Sequence, residues 1–171
     1  MTKPYRAGLA LPLLLTAFAT SEPARAAEPG APSVEVDVPV KLESAKVAFN
    51  MDHLAFQADL PVGMKYMRLF AERMKEQNVP AQIVGVFHGE AGYMLLNDAA
   101  YNRVRRVDTG NPFKSLVADL IARGVRIEEC AVTMRGNGWG NKDLLPGVKV
   151  NTGAVIRLVQ LQQQGFSQIQ P

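Results

Sequence analysis

One thiol, two imidazoles and a few amide and carboxylate groups carry the chemistry open to this chain. Cys130 is the only cysteine, so it cannot form an internal disulfide. It is either a small buried hydrophobe or a thiol kept for chemistry. It follows Val125-Arg126-Ile127-Glu128-Glu129, which reads as a strand, and precedes Ala131-Val132-Thr133-Met134-Arg135-Gly136. A thiolate there gains from amides opening the next turn and from the guanidinium of Arg135. Glu128 and Glu129 oppose it if they face the same rim. His88 ends a second strand, just before Gly89. Its ring either acts as a base or donor toward a bound ligand, or bonds a loop backbone. His53 follows Asp52 in a loop and reads as solvated. A metal site built on Cys130 and His88 needs a third ligand such as Asp52. No Cys-x-x-Cys or His-x-x-x-His spacing exists, so neither a metal nor another cofactor is expected.

Further candidates surround these two. Asn50 and Asp52 close a first strand. Asn97 and Tyr101 fall on a helical stretch after Gly92, where they either line the rim near His88 or serve as cap and surface. Arg135-Gly136-Asn137-Gly138-Trp139-Gly140-Asn141 holds the only tryptophan. That loop is either a mobile lid bringing the Trp139 indole over the thiol, or an aromatic anchor in a core or subunit contact. It is not a dinucleotide fingerprint, because its spacing is wrong and no strand-to-helix context fits.

The elements that must position these groups alternate in type. Lys46–Met51 reads as a strand by its alternation. Residues 59–78 turn helical, with Met64, Met67, Phe70, Ala71 and Met74 on one face, Asp59 as N-cap and Pro61 in the first turn. Ile83–Phe87 is a continuous apolar run, the pattern of a strand buried on both faces. Residues 93–106 read as one helix. Asn111 caps the next, with Pro112 at its first position and Gly124 closing it. Strands follow at Val125–Glu129 and Val148–Val150. Thr152 caps a helix carrying Val155, Leu158 and Val159, and Phe166–Ile169 is a last strand. The expected fold is α/β: a mostly parallel sheet of four to five strands with helices on both faces. Such sheets bind ligands at the carboxyl ends of their strands. Asn50 with Asp52, His88 and Cys130 all stand at such ends.

Residues 1–26 read as a secretory signal: Lys3 and Arg6, a short apolar run from Ala7 to Ala19, then Ala24-Arg25-Ala26, with cleavage before Ala27. The run is too short for a comfortable membrane span, which takes roughly 20 residues. Residues 27–44 read as a flexible leader and 45–171 as the domain. Cleavage removes Lys3, Arg6, Arg25 and Glu22, which leaves 16 basic against 15 acidic residues in a chain of 145. That length suits one domain with a real core. The near-neutral balance, with no basic stripe, gives no footing for nucleic acid. No second apolar run argues for a membrane.

Three blocks carry a resemblance. They are Val86-Phe87-His88-Gly89, Gly124 to Met134 around Cys130, and the tail from Gly153 to Phe166. In their order and spacing the chain resembles the DsrE/DsrF-like family over roughly residues 45–171, and its tail is similar to that of an exported branch. The resemblance implies a compact α/β domain assembling into symmetric trimers or hexamers. It also implies sulfur carriage as a persulfide on a cysteine in a short Cys-x-x-Ala-like turn followed by Arg-Gly. Cys130-Ala131-Val132-Thr133 with Arg135-Gly136 matches in part, with Thr133 at the usual alanine. Two functions stand. One is a periplasmic sulfur carrier or sulfurtransferase acting through Cys130 on small sulfur species or an acceptor thiol protein. The other is a non-catalytic oligomeric binding or assembly protein in which Cys130 is structural.

Overall fold

A parallel sheet needs long crossovers, and the helical segments of this chain supply them. The computed structural model describes residues 32–171. The expected signal segment, its cleavage point and residues 27–31 lie outside the described residues. The chain divides into two units, Met1–Pro39 and Val40–Pro171. Residues 32–39 hold no helix or strand, and Val34, Val36 and Val38 are exposed. Among the described residues, every helix and strand belongs to the second unit.

Its strands are β1 (Ala45–Met51), β2 (Phe56–Gln57), β3 (Leu60–Pro61), β4 (Ala81–Phe87), β5 (Arg126–Cys130), β6 (Lys149–Asn151) and β7 (Ser167–Ile169). Its helices are α1 (Val62–Glu76), α2 (Asp98–Arg105), α3 (Lys114–Ala122), α4 (Ala131–Asn137) and α5 (Ala154–Gln163). Five strands form one sheet in the order β6-β5-β4-β1-β7, every pair parallel, and β2 and β3 make a small hairpin. This is the expected single-domain α/β architecture with both faces covered.

Strand alternation sorts the two faces. Val47, Phe49, Met51, Ile83, Phe87 and Ile127 face α1 and α3, where Met64, Met67, Val117 and Leu120 complete a large core. Ala48, Val84, Val86 and Cys130 face the opposite way, against Ala154, Leu158 and Leu161 of α5 and Phe166. One helix covers that second face, so its core is smaller.

Three local expectations are corrected. Asp59 does not cap α1. It lies in the β2–β3 turn, where Ala58 holds φ at 52°, and the extended Pro61 delays the helix to Val62. Residues 93–106 are not one helix. A 3₁₀ segment runs from Gly89 to Leu95, Leu96 is extended, and α2 starts anew at Asp98. The break is held because the buried Asn111 amide donates to the carbonyls of Met94 and Leu96. Asn111 also accepts from the Phe113 N–H at 2.8 Å, so α3 begins at Lys114, beyond Pro112.

Candidate functional site

The parallel register brings the reactive residues together. Val86 pairs with Glu128 and Phe87 with Glu129. One step further along both strands places His88 beside Cys130. Adjacent strands lie about 4.8 Å apart, so the two share one rim. Alternation puts both on the α5 side. There a cleft of about 330 Å³ is lined by His88, Gly89, Cys130, Thr133 and Val132, with Gly153 to Ile156 opposite. A wider hollow of about 670 Å³ between residues 40–43 and 77–79 holds no thiol or imidazole.

Cys130 ends β5 and is the N-cap of α4, with extended dihedrals of −78° and 120°. It is 4 % exposed and lines the cleft. The Ala154 N–H, opening α5, donates to Sγ at 3.3 Å. Burial pushes the thiol up. The amides of Thr133, Ala154 and Val132 and the Thr133 hydroxyl outweigh it, so the thiol lies below the ordinary cysteine range. Thr133 Oγ1 accepts from the Gly89 N–H at 3.0 Å, which leaves its own proton for sulfur. The depression was expected from amides and Arg135 together. Arg135 is exposed on α4 and is not among the groups acting on the thiol, so that part is corrected.

The two glutamates also part company. Glu128 shares the face of Cys130, but Arg157 of α5 holds it with two bonds of 2.8 Å, so its charge is met. Glu129 points to the other face. It is fully buried, and neither carboxyl oxygen has a partner among the described residues. Burial pushes it up to about 9, so it is a neutral acid at physiological pH. It packs where Gly92 leaves room: a Cβ there would stand 2.7 Å from Glu129 Oε1.

His88 is half-buried. Burial lowers its pKa, and the nearby Asp52 charge opposes this, so the ring is neutral at pH 7. Its Nε2 lies 2.7 Å from Asn50 Oδ1. Asn50 donates to Gln170 Oε1 at 2.6 Å, and Gln170 donates to Asp52 Oδ1 at 2.7 Å. Asp52 also receives His53 Nδ1 at 2.6 Å, and this contact leads the lowering of its pKa. Asn50 and Asp52 thus stand behind His88 and do not line the cleft.

The remaining candidates are placed elsewhere. Asn97 caps α2, accepting from the Ala100 N–H at 2.9 Å, and it donates to the Lys142 carbonyl. Tyr101 is buried among Tyr93 and Phe113 on the α1–α3 side. Trp139 packs against that same core, and its backbone N–H closes α4 on the Met134 carbonyl, so it is an anchor and no lid over the thiol. The reason is common to all three: they follow elements that return on the face opposite α5. Among the described residues, no three His, Cys, Asp or Glu side chains cluster as metal ligands.

Sequence reasoning missed Thr133, Ala154 and Gln170 as partners of the site. Thr133 carries a signal, since a hydroxyl three residues after a helix-capping position lies within reach of it. Ala154 opens a helix that Thr152 was expected to cap; Gly153 is the cap instead. Gln170 carries no local signal. The β1–β7 register, which pairs Phe49 with Ile169, is what brings it beside Asn50.

The sequence model of the DsrE/DsrF-like family matches residues 37–171. The chain belongs to the DsrE/DsrF-like family. That membership implies a role related to sulfur metabolism. No curated protein matches the chain. Among solved structures, it is similar to MTH1491 of Methanobacterium thermoautotrophicum, a protein of unknown function. That likeness has 23 % identity and a TM-score of 0.58, over 75 % of this chain and all (100 %) of that one. It is also similar to the ychN protein of E. coli, at 15 % identity and a TM-score of 0.48, over 74 % of this chain and 99 % of that one. The first likeness supports the shared fold.

Proposed function

We propose that this DsrE/DsrF-like protein is a periplasmic sulfur carrier that holds sulfane sulfur as a persulfide on Cys130. One observation carries the reading: a thiol whose anion is favoured by the Ala154 amide and by Thr133 faces a cleft shared with a neutral imidazole. Loading is attack by the Cys130 thiolate on the outer sulfur of a hydropersulfide R–S–SH. The Cys130–sulfur bond forms, the donor S–S bond breaks, and R–S⁻ leaves with the electron pair. Unloading reverses the roles. An acceptor thiol gives its proton to His88, its sulfur takes the outer sulfur of Cys130–S–SH, and Cys130 departs as thiolate. The proton on His88 then returns to solvent or to the sulfur. No external oxidant or reductant is required.

Export rests on the signal-like opening, with cleavage between Ala26 and Ala27. Self-association into three or six copies rests on the family. Tyr93, Met94, Leu95 and Leu96 are buried in the chain's own core and offer no surface to another copy. Val132, Val155, Ile156 and Val159 stay exposed beside the cleft and fit a second copy better. The competing reading, a structural cysteine in an assembly protein, draws on the 4 % exposure of Cys130. Intact mass spectrometry after incubation with polysulfide separates the two. The carrier gains the mass of one or more sulfur atoms, and Cys130→Ser gains none. A wild-type protein that stays unloaded defeats the carrier reading.

A further inference from the structure

We propose that Gln170 is a positioning residue that fixes the tautomer of His88. The purpose of this control rests on the reading above, in which His88 receives the acceptor's proton; the control itself does not. One line of hydrogen bonds leads to the His88 ring, and its direction is set at the far end. Asp52 is ionised at neutral pH and can only accept. The Gln170 amide therefore turns Nε2 toward it, at 2.7 Å, and presents Oε1 to Asn50. Asn50 must then donate from Nδ2, at 2.6 Å, and present Oδ1 to the imidazole. An amide oxygen only accepts, so His88 must hold its proton on Nε2, 2.7 Å away. Nδ1 is left with its lone pair and makes no hydrogen bond to the described residues.

The arrangement is built and not incidental. Gln170 continues β7, whose pairing with β1 places Ser167, Gln168 and Ile169 opposite Val47, Ala48 and Phe49. The next step brings Gln170 to Asn50, which is only 9 % exposed. His53 lies 3.2 Å from Gln170 Nε2, but its Nδ1 proton is already given to Asp52, so it does not compete as an acceptor. Without Gln170, Asn50 is free to flip its amide, and the imidazole loses the instruction about which nitrogen to protonate.

The test is nitrogen NMR of the full chain carrying labelled histidine, at a pH where both rings are neutral, with His88→Gln assigning the two rings. Wild type shows His88 protonated on Nε2. In Gln170→Leu the ratio of Nε2–H to Nδ1–H falls by about fivefold or more, the loss of one ordinary hydrogen bond. Adding Asn50→Asp restores the ratio, because a carboxylate can only accept and needs no Gln170 to orient it. A wild-type ring protonated on Nδ1, or a ratio unmoved by Gln170→Leu, overturns the proposal. These readings use no sulfur compound. A ratio that moves as expected in a protein that never loads sulfur leaves the relay standing and removes the carrier function.

Discussion

Glu129 and Cys130 are consecutive residues of β5, yet the sheet sends them into opposite environments. Glu129 turns to the opposite face beside Gly92, where only the Cys130 amide acts on its carboxyl, without a well-formed hydrogen bond, and burial prevails, pushing it up to about 9. Cys130 enters the smaller core under α5, where burial also raises its pKa but amides from two helix starts and a hydroxyl reverse the sign. Depth alone does not separate them, since both are nearly or wholly buried. The difference is the supply of donors. Where two helices begin beside a strand end, the free N–H groups of their first turns stabilise an anion. Where a single amide acts on a buried carboxyl, burial prevails and the acid stays protonated.

That contrast can be broken from the sulfur side by charge. Arg157 keeps Glu128 from acting as a bare anion on the face of Cys130. Arg157→Met leaves a buried carboxylate unpaired, which is expected to destabilise the fold by about 3 kcal/mol. It should also raise the pH at which the thiol ionises. Denaturant unfolding reads the first effect and the pH dependence of iodoacetamide alkylation the second. A variant as stable as wild type would mean the pair contributes little.

The opposite face gives a change of the other sign. Glu129 has a raised folded-state value, so between about 4.5 and 9 the unfolded chain has lost a proton that the folded chain retains. Stability from this group is therefore full below the lower value and declines as pH rises through the window. Glu129→Gln removes that decline, and should stabilise the protein by on the order of 2 kcal/mol at pH 7 to 8 while leaving acid stability near wild type. Melting curves from pH 4 to 9 that run parallel for the two proteins would contradict the assignment.

A finer change tests the donors themselves. Thr133→Val keeps shape and removes the hydroxyl that joins Gly89 to the sulfur. Cys130 should ionise at higher pH and react with iodoacetamide at pH 7 about threefold more slowly. The smallest expected effect is none. Arg135→Ala should leave the alkylation profile unchanged, because that guanidinium points to solvent on α4. A clear upward shift in that variant would return Arg135 to the site.

Much of this is legible in the amino-acid sequence. The apolar run at Ile83–Phe87 marks a strand buried on both faces, and the alternation before Met51 and Cys130 marks strands by its two-residue period. Their polar ends, Asn50, His88 and Cys130, are drawn to one rim by parallel pairing alone. The misplacements share a cause. Asn97 and Trp139 sit close in sequence to His88 and Cys130, and nearness in sequence says nothing about which face a loop returns on. Tyr101 is an amphipathic residue whose ring is claimed by an aromatic cluster that forms only when α2 meets α3.

The amino-acid sequence by itself determined the class of fold, the presence of a single thiol, and the strand ends on which the thiol and the imidazole stand. These follow from periodicity and residue type, which are local properties. Tertiary structure decided the rest. It chose which face each glutamate takes and set Arg157 against Glu128. It also brought the first turn of α5 to the sulfur and carried Gln170 across the sheet to Asn50. Each of these depends on register and crossover between segments distant in the chain, and no pattern within one segment encodes which partner lies beside it.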